Sequence, residues 1–257
     1  MVGRTIGKYR IVEQIGKGGM GTVWMAQQTE PVKRLVAVKL IKAGMDSKQV
    51  IARFEAERQA LAMMDHPNIA KVHDAGTTET GRPYFVMEYI QGEPLDEYCD
   101  RRSLTITARL RLLQRVCAAV HYAHQNLVIH RDIKPANIFV TKRGHAKILD
   151  FGLARAEPEA SPQVETVPYV PALSETGTVM GTFGYMSPEQ LRSARDVDAR
   201  SDVWALGVIL YELVSGTPPF SAETLTQLTL KVALDPTPAL SAPAPEGFED
   251  VIRTCLE

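Results

Sequence analysis

The sequence predicts an α+β protein in two parts: a small antiparallel sheet carrying one helix over residues 9–89, then a mostly helical part over residues 95–257, joined by a short break at 90–94. Three observations carry this. Short β-branched and aromatic runs separated by turn residues fill the first third, and helical periodicity takes over after Pro94. A chain of 257 residues, 45% hydrophobic and 23% charged, can also bury a sizeable core as one large domain or two lobes sharing an interface.

In chain order, YRIVEQI from Tyr9, TVWMAQQ from Thr22 and LVAVKLI from Leu35 read as strands, with a glycine-rich turn between the first two. A charged helical stretch runs from Ser47 to Met64, and AKVHDAG and RPYFVMEY add two short strands. Gln91-Gly92-Glu93-Pro94 breaks the pattern. Beyond it, ITARLRLLQRVCAAVHYAHQ and SDVWALGVILYELVSG have helical spacing, the second stopped by Gly216 and the Pro218-Pro219 pair. Between these helices, residues 150–189 contain AEPEASPQVETVPYVPALSETGTV, too poor in apolar periodicity for a core element; it reads as a mobile surface loop.

Net charge is -1, from 29 Lys+Arg against 30 Asp+Glu, so no global field draws the chain to nucleic acid or to an anionic membrane. Neither is expected as a partner, and any polyanion must be held locally. Cys99, Cys117 and Cys255 are widely spaced, which argues against a disulfide framework or a zinc site and suits a reducing cytoplasm. The N-terminus lacks a signal-peptide run, and Val203 to Val214 is too short and too interrupted by Glu212 to span a bilayer. No membrane contact is expected within these residues, and an anchor beyond residue 257 stays open.

Gly16-Lys17-Gly18-Gly19-Met20-Gly21-Thr22-Val23 has the spacing G-x-G-x-x-G-x-V, in which missing side chains let backbone N–H groups approach phosphate oxygens. An ordinary hairpin turn, a Rossmann fingerprint and a Walker loop compete. Thr22-Val23-Trp24-Met25-Ala26 has the character of a returning strand rather than the helix a Rossmann turn requires, and neither Gly-Lys pair is followed by Ser or Thr as a Walker loop requires. A hairpin laid over phosphates remains.

Lys39 closes the apolar run Val36-Ala37-Val38; taken alone it could be a solvated edge charge. The helical stretch RFEAERQALAMMDHPNI offers Glu57 to hold it against phosphates, with Leu61 and Met64 at core spacing and Glu55 as the competing carboxylate. His130-Arg131-Asp132-Ile133-Lys134-Pro135-Ala136-Asn137 crowds a base, a cation and an amide into one loop, and thirteen residues past Asn137 comes Asp150-Phe151-Gly152. Either tripeptide alone could be a turn. Together, a carboxylate and an amide oxygen make hard ligands suited to Mg²⁺, so Asn137 and Asp150 are the candidate metal ligands.

The glycine loop, VAVK, HRDIKPAN, DFG and Ser187-Pro188-Glu189 (in place of A-P-E) resemble the signature set of eukaryotic-type protein kinases, and GKGGMGTVW with DHPNIAKVHDAG resembles its bacterial members. The resemblance runs from Tyr9 to the end. It implies a bilobal kinase-like fold over residues 1–257, with the N-lobe at 9–89, a hinge at 90–94 and a C-lobe at 95–257 that is incomplete at its C-terminus. It also implies ATP with Mg²⁺, Mn²⁺ being a substitute, and protein substrates bearing Ser or Thr acceptors, self-association allowing one copy to phosphorylate another. By the same resemblance Asp132 accepts the hydroxyl proton, Lys134 steadies the transferring group, and Asn137 and Asp150 hold the metal. Phosphates lie under Gly16, Gly18 and Gly21 beside Lys39 and Glu57. Adenine lies between Ile15, Val23 and Ala37 above and Phe139 below, its edge on the Glu88 to Ile90 backbone and Met87 guarding the deeper pocket.

Lys134 within DIKPAN and Thr182 within GTFGY resemble the serine/threonine branch. Arg131 is expected to pair with a phosphate on the activation segment, with Ser174, Thr176 and Thr178 as acceptors and the two threonines preferred. His121 and His124 are read as structural, and Asp202 and Trp204 as the central helix, the Asp bracing the catalytic loop. The arginine that pairs with the SPE glutamate in the family lies beyond FEDVIRTCLE, so Glu189 is expected to lack its partner and this chain to be less stable than a longer one. Two other readings are a nucleotide-sensing scaffold without transfer, disfavoured because Lys39, Asp132, Asn137 and Asp150 are all present, and a small-molecule phosphotransferase, disfavoured by GTFGYMSPE.

Overall fold

The computed structural model describes residues 1–18, 21–42, 63–151, 183–192, 197–240, 244 and 247–257. Most of the helical stretch expected from Ser47, Glu55 and Glu57 included, lies outside them, as does most of the Pro/Ser/Thr-rich segment with Ser174, Thr176, Thr178 and Thr182.

The first part is an antiparallel sheet of six strands in the order β1-β2-β3-β4-β6-β5, comprising β1 Thr5–Ile6, β2 Tyr9–Gly18, β3 Gly21–Gln28, β4 Arg34–Ile41, β5 Val72–Thr77 and β6 Pro83–Glu88. Val23 pairs with Lys39 and Lys39 with Phe85; Met25 pairs with Ala37 and Ala37 with Met87. With a side-chain period of two, these six residues share one face, and Trp24, Ala26, Val36, Val38, Leu40 and Val86 share the other. Ala37, Phe85 and Met87 join the core that continues into the helical part, whereas Val36, Val38, Leu40 and Val86 form a separate outer cluster with Tyr9 and Ile11. Burial on both faces is why β4 reads as a nearly unbroken apolar run, and it leaves Lys39 as a cation inside the protein. In β2 the register shifts twice, between Ile11 and Glu13 and between Gln14 and Gly16, so Val12 and Ile15 sit at bulges where the strand bends.

Three further strands, β7 Gly92–Pro94, β8 Ile138–Thr141 and β9 Ala146–Ile148, form a second sheet. The break expected at 90–94 is thus partly a strand. Gly92 permits this: a Cβ there would lie 2.6 Å from the Val140 carbonyl oxygen, so only glycine lets the chain lie against β8.

Helices α1 Leu95–Arg101, α2 Ile106–Gln125, α3 Pro188–Arg192, α4 Ala199–Ser215, α5 Leu225–Leu234 and α6 Phe248–Cys255 make up the rest among the described residues. The Thr105 hydroxyl caps α2 by accepting from the Ala108 N–H, and the helix buries Leu112, Val116, Ala119, Val120 and Ala123. Asp198 caps α4, which ends where Gly216 takes the left-handed conformation at φ 79°. This helix is buried almost all round and serves two cores: Ala205, Leu206, Ile209 and Leu213 face the larger one, while Trp204, Val208 and Tyr211 face a second with Phe220, Leu228 and Ile252. No helix among the described residues is long and apolar enough to cross a membrane.

Close approach of α6 to α4 depends on Gly207, where a Cβ would lie 2.6 Å from the Cys255 Cβ and 3.1 Å from a Leu256 methyl. Gly207→Ala is expected to cost about 1–3 kcal/mol, the usual scale of overpacking, measured as a lowered urea midpoint with unchanged slope.

Candidate active site

The loop before β8 is organised by one buried carboxylate. Asp202, in the first turn of α4 and 1% exposed, accepts the His130 N–H at 2.8 Å through Oδ2 and the Arg131 N–H at 2.8 Å through Oδ1. His124 Nε2 lies 2.8 Å from Oδ2, so this imidazole is committed to the same carboxylate. A buried charge with three donors around it escapes the cost of an unpaired one.

His130 is fully buried. Its Nε2 lies 2.7 Å from the Leu149 carbonyl, which only accepts, and its Nδ1 takes the Asp132 N–H at 3.2 Å; both contacts require the tautomer protonated on Nε2. The ring meets Phe151 edge-on with centroids 4.6 Å apart. Arg131 and Asp150 adopt left-handed backbone, with φ 69° and 61°, conformations that carry strain in non-glycine residues and persist only where surroundings over-determine them.

The Asp132 carboxylate stands between two donors. Lys134 Nζ is 2.9 Å from each of its oxygens, and Asn137 Nδ2 is 2.9 Å from Oδ2 and 2.7 Å from the Asp132 carbonyl. A single 3₁₀ turn, Pro135–Asn137, delivers the amide. With Nδ2 so engaged, the Asn137 Oδ1 is left as its acceptor. The Asn137 carbonyl takes the Leu149 N–H at 2.8 Å, which brings Asp150 alongside, and Asp150 Oδ2 is 2.9 Å from Lys39 Nζ. Lys39 from the first sheet and the segments flanking β8 and β9 are thus brought together, the Asn137–Leu149 backbone bond joining the Asp132 group to the Asp150–Lys39 pair.

Above it, Val23, Ala37 and Met87 share the face of the first sheet that carries Lys39, and Ile15 stands at the outer bulge, 41% exposed. Below, Phe139 lies directly across from Lys147 on β9, and Lys147 Nζ reaches Glu88 Oε2 at 2.8 Å. The Glu88 side chain is therefore turned to that ion pair, while Ile90 makes no hydrogen bond among the described residues. A hollow lined by Met64, Val72, Phe85, Met87, Asp150 and Phe151 lies deeper.

The three glycines differ. At Gly21, φ is 151° and a Cβ would lie 2.0 Å from the Leu40 carbonyl oxygen, so the fold itself demands glycine. At Gly18 a Cβ would meet nothing within 4 Å among the described residues, and at Gly16 only ordinary contacts with Val23, so packing against those residues does not demand glycine at either position.

The protein kinase domain family matches residues 9–257. The chain belongs to that family. It is 39% identical over 262 residues to the serine/threonine-protein kinase PknA of Mycobacterium tuberculosis, covering 99% of this chain and 58% of the relative. To PrkC of Bacillus subtilis, also a serine/threonine-protein kinase, it is 34% identical over 258 residues, 98% of this chain and 38% of the relative. The crystal structure of the Mycobacterium tuberculosis PknI kinase domain superposes with a TM-score of 0.70 at 26% identity, covering 100% of this chain and 90% of that one. The chain spans 58% and 38% of the length of those two curated relatives, each named a serine/threonine-protein kinase.

Beside Asp132 the kinase domain has a second hollow, lined by Arg131, Ile133, Tyr185, Met186, Gln190 and Ala205 among others. Tyr185 donates to Glu212 Oε2 at 2.7 Å, and burial pushes both the phenol and the carboxyl above their ordinary ranges. Glu189 accepts a hydrogen bond from the Ser201 hydroxyl, a contact that does not bear on the arginine expected from the family. That hydroxyl, two residues into α4, was not singled out from the sequence. The roles of Lys147 and Gln190 were equally unmarked, because each acts through a partner 59 residues away.

Gly18→Ala is expected to leave the melting temperature within about a degree while weakening ATP binding, whereas Gly21→Ala is expected to destabilise by about 1–3 kcal/mol through strain. Thermal shift with and without nucleotide separates the two.

Proposed function

We propose that this domain transfers the γ-phosphoryl group of ATP to serine and threonine hydroxyls of proteins, copies of itself included. The observation that carries the reading is the Asp132 carboxylate, held 2.9 Å from both Lys134 and Asn137 at the edge of an open hollow and linked through Asn137 and Leu149 to the Asp150–Lys39 pair.

Asp132 accepts the proton of the attacking hydroxyl, and Lys134, on the same carboxylate, is placed to neutralise charge on the transferring group. Lys39, 6% exposed, keeps a desolvated cation on the cleft face of the sheet, where a phosphate oxygen gains more from it than it would in water. Gly16 and Gly18 bring bare backbone over the phosphates. Val23 and Ala37 above and Phe139 below form the adenine slot, Met87 closes its inner end, and the Glu88 to Ile90 backbone meets the base edge.

The free oxygens of Asn137 and Asp150 are hard donors on neighbouring backbone, a set that fits Mg²⁺, with Mn²⁺ as substitute. When bound, the ion neutralises phosphate charge. Glu57 is assigned as a second partner of Lys39, and cytoplasmic residence follows from the cysteine usage.

With γ-labelled ATP and Mg²⁺, the domain is expected to label itself and a generic basic protein on serine or threonine, and Asp132→Asn is expected to slow transfer by about a hundredfold or more. Nucleotide binding without transfer by the native chain would instead support a scaffold. Mass spectrometry after incubation with ATP is expected to find phosphate on Thr176 or Thr178, or on Ser174; none between Asp150 and Glu189 would remove the activation-segment switch.

A further inference from the structure

Asp132 is held in place from behind, and the group that does so sits outside the catalytic loop. Arg131, immediately before it, is in left-handed backbone at φ 69°. Its N–H is fixed by Asp202 at 2.8 Å, and its carbonyl, part of the peptide that enters Asp132, accepts from Gln190 Nε2 at 2.7 Å. Both peptide groups around the strained Cα are therefore anchored, one from α4 and one from α3.

The Gln190 amide is itself oriented. Its Oε1 takes the Ser187 N–H at 3.1 Å and lies 3.3 Å from the Ser187 hydroxyl, while its own backbone N–H points at that hydroxyl at 3.4 Å. Ser187 Oγ is 3.1 Å from Ser201 Oγ, and Ser201 Oγ donates to the Glu189 carboxylate. Donors and acceptors balance in one way. Glu189 can only accept, so Ser201 gives it its proton and takes that of Ser187; the Ser187 N–H then holds Gln190 Oε1, and Nε2 must face the Arg131 carbonyl. The amide can neither flip nor rotate without breaking bonds at both ends.

We infer that Gln190 is a positioning residue for catalysis, clamping the strained Arg131 peptide so that Asp132 meets the acceptor hydroxyl, and that the Ser187-Pro188-Glu189-Gln190 turn thereby sets the geometry of the general base. The inference rests on the kinase reading. Its signature is a split in the kinetics. Lys39, Asp150 and the glycine strand lie outside the clamp, so ATP recognition persists, whereas a base that drifts by a fraction of an ångström slows transfer.

The test measures kcat, KM for ATP and ADP affinity for the native chain, Gln190→Ala and Gln190→Met, with melting temperatures alongside. Methionine keeps the volume and removes the donor. Both variants are expected to lose kcat by about tenfold to a hundredfold, the scale on which misplacing a reacting group is felt, with KM for ATP and ADP affinity within about twofold of native. A methionine variant with native kcat would show that Gln190 only fills space and would overturn the inference. So would kcat and ADP affinity falling together, which marks general damage. If Gln190→Ala does not fold, Gln190→Met decides alone. A native chain that transfers nothing defeats the kinase reading and this inference together, whereas an active native chain matched by both variants defeats only the clamp.

Discussion

The buried carboxylate of Asp202 is the constraint on which the site depends. One side chain from the first turn of α4 fixes two successive peptide N–H groups and an imidazole, and so converts a loop into a rigid element. A loop held only by its own turns would fluctuate on the scale of the distances that proton transfer requires. Anchored to a helix that serves both cores, it inherits the stiffness of the helical part. His130 carries the constraint onward to Leu149 and Phe151, and so to the residue whose carboxylate meets Lys39.

The two faces of the first sheet divide the labour. One builds an outer cluster that closes the small lobe; the other is continuous with the core beneath and carries Val23, Ala37, Met87 and Lys39 into the cleft. Because β4 is packed on both sides, the lysine's position is set by strand register. A slip of one residue would turn it to the opposite face and put an aliphatic side chain in the cleft.

Much of this was legible in the sequence, for identifiable reasons. α2 falls on the twenty residues whose apolar spacing announced it, and α4 ends at the glycine that composition placed there, because both signals are local. Asp132, Lys134 and Asn137 could be named because their chemistry is concentrated in six residues. The second sheet was not legible, since Gly92-Glu93-Pro94 has turn composition and pairs with residues more than forty positions away. Distance in sequence also hid the serine partner of Glu189 and the glutamine behind Arg131, as single polar residues on a helix leave no pattern. The contact between Lys39 and Asp150, 111 residues apart, was not anticipated, because the sequence reading offered Glu57 to the lysine and Asp150 to the metal.

The pairing of Lys39 with Asp150 also bears on how readily the cleft empties. The ammonium already has an anionic companion at 2.9 Å before any phosphate arrives. A phosphate that engages it therefore exchanges one counter-ion for another, and the net gain is the difference between two ion pairs rather than the whole of one. The same exchange would run backwards for any departing anion, because the carboxylate is at hand to re-pair the cation. An anion drawn to this lysine thus meets a cation whose charge the fold has already answered.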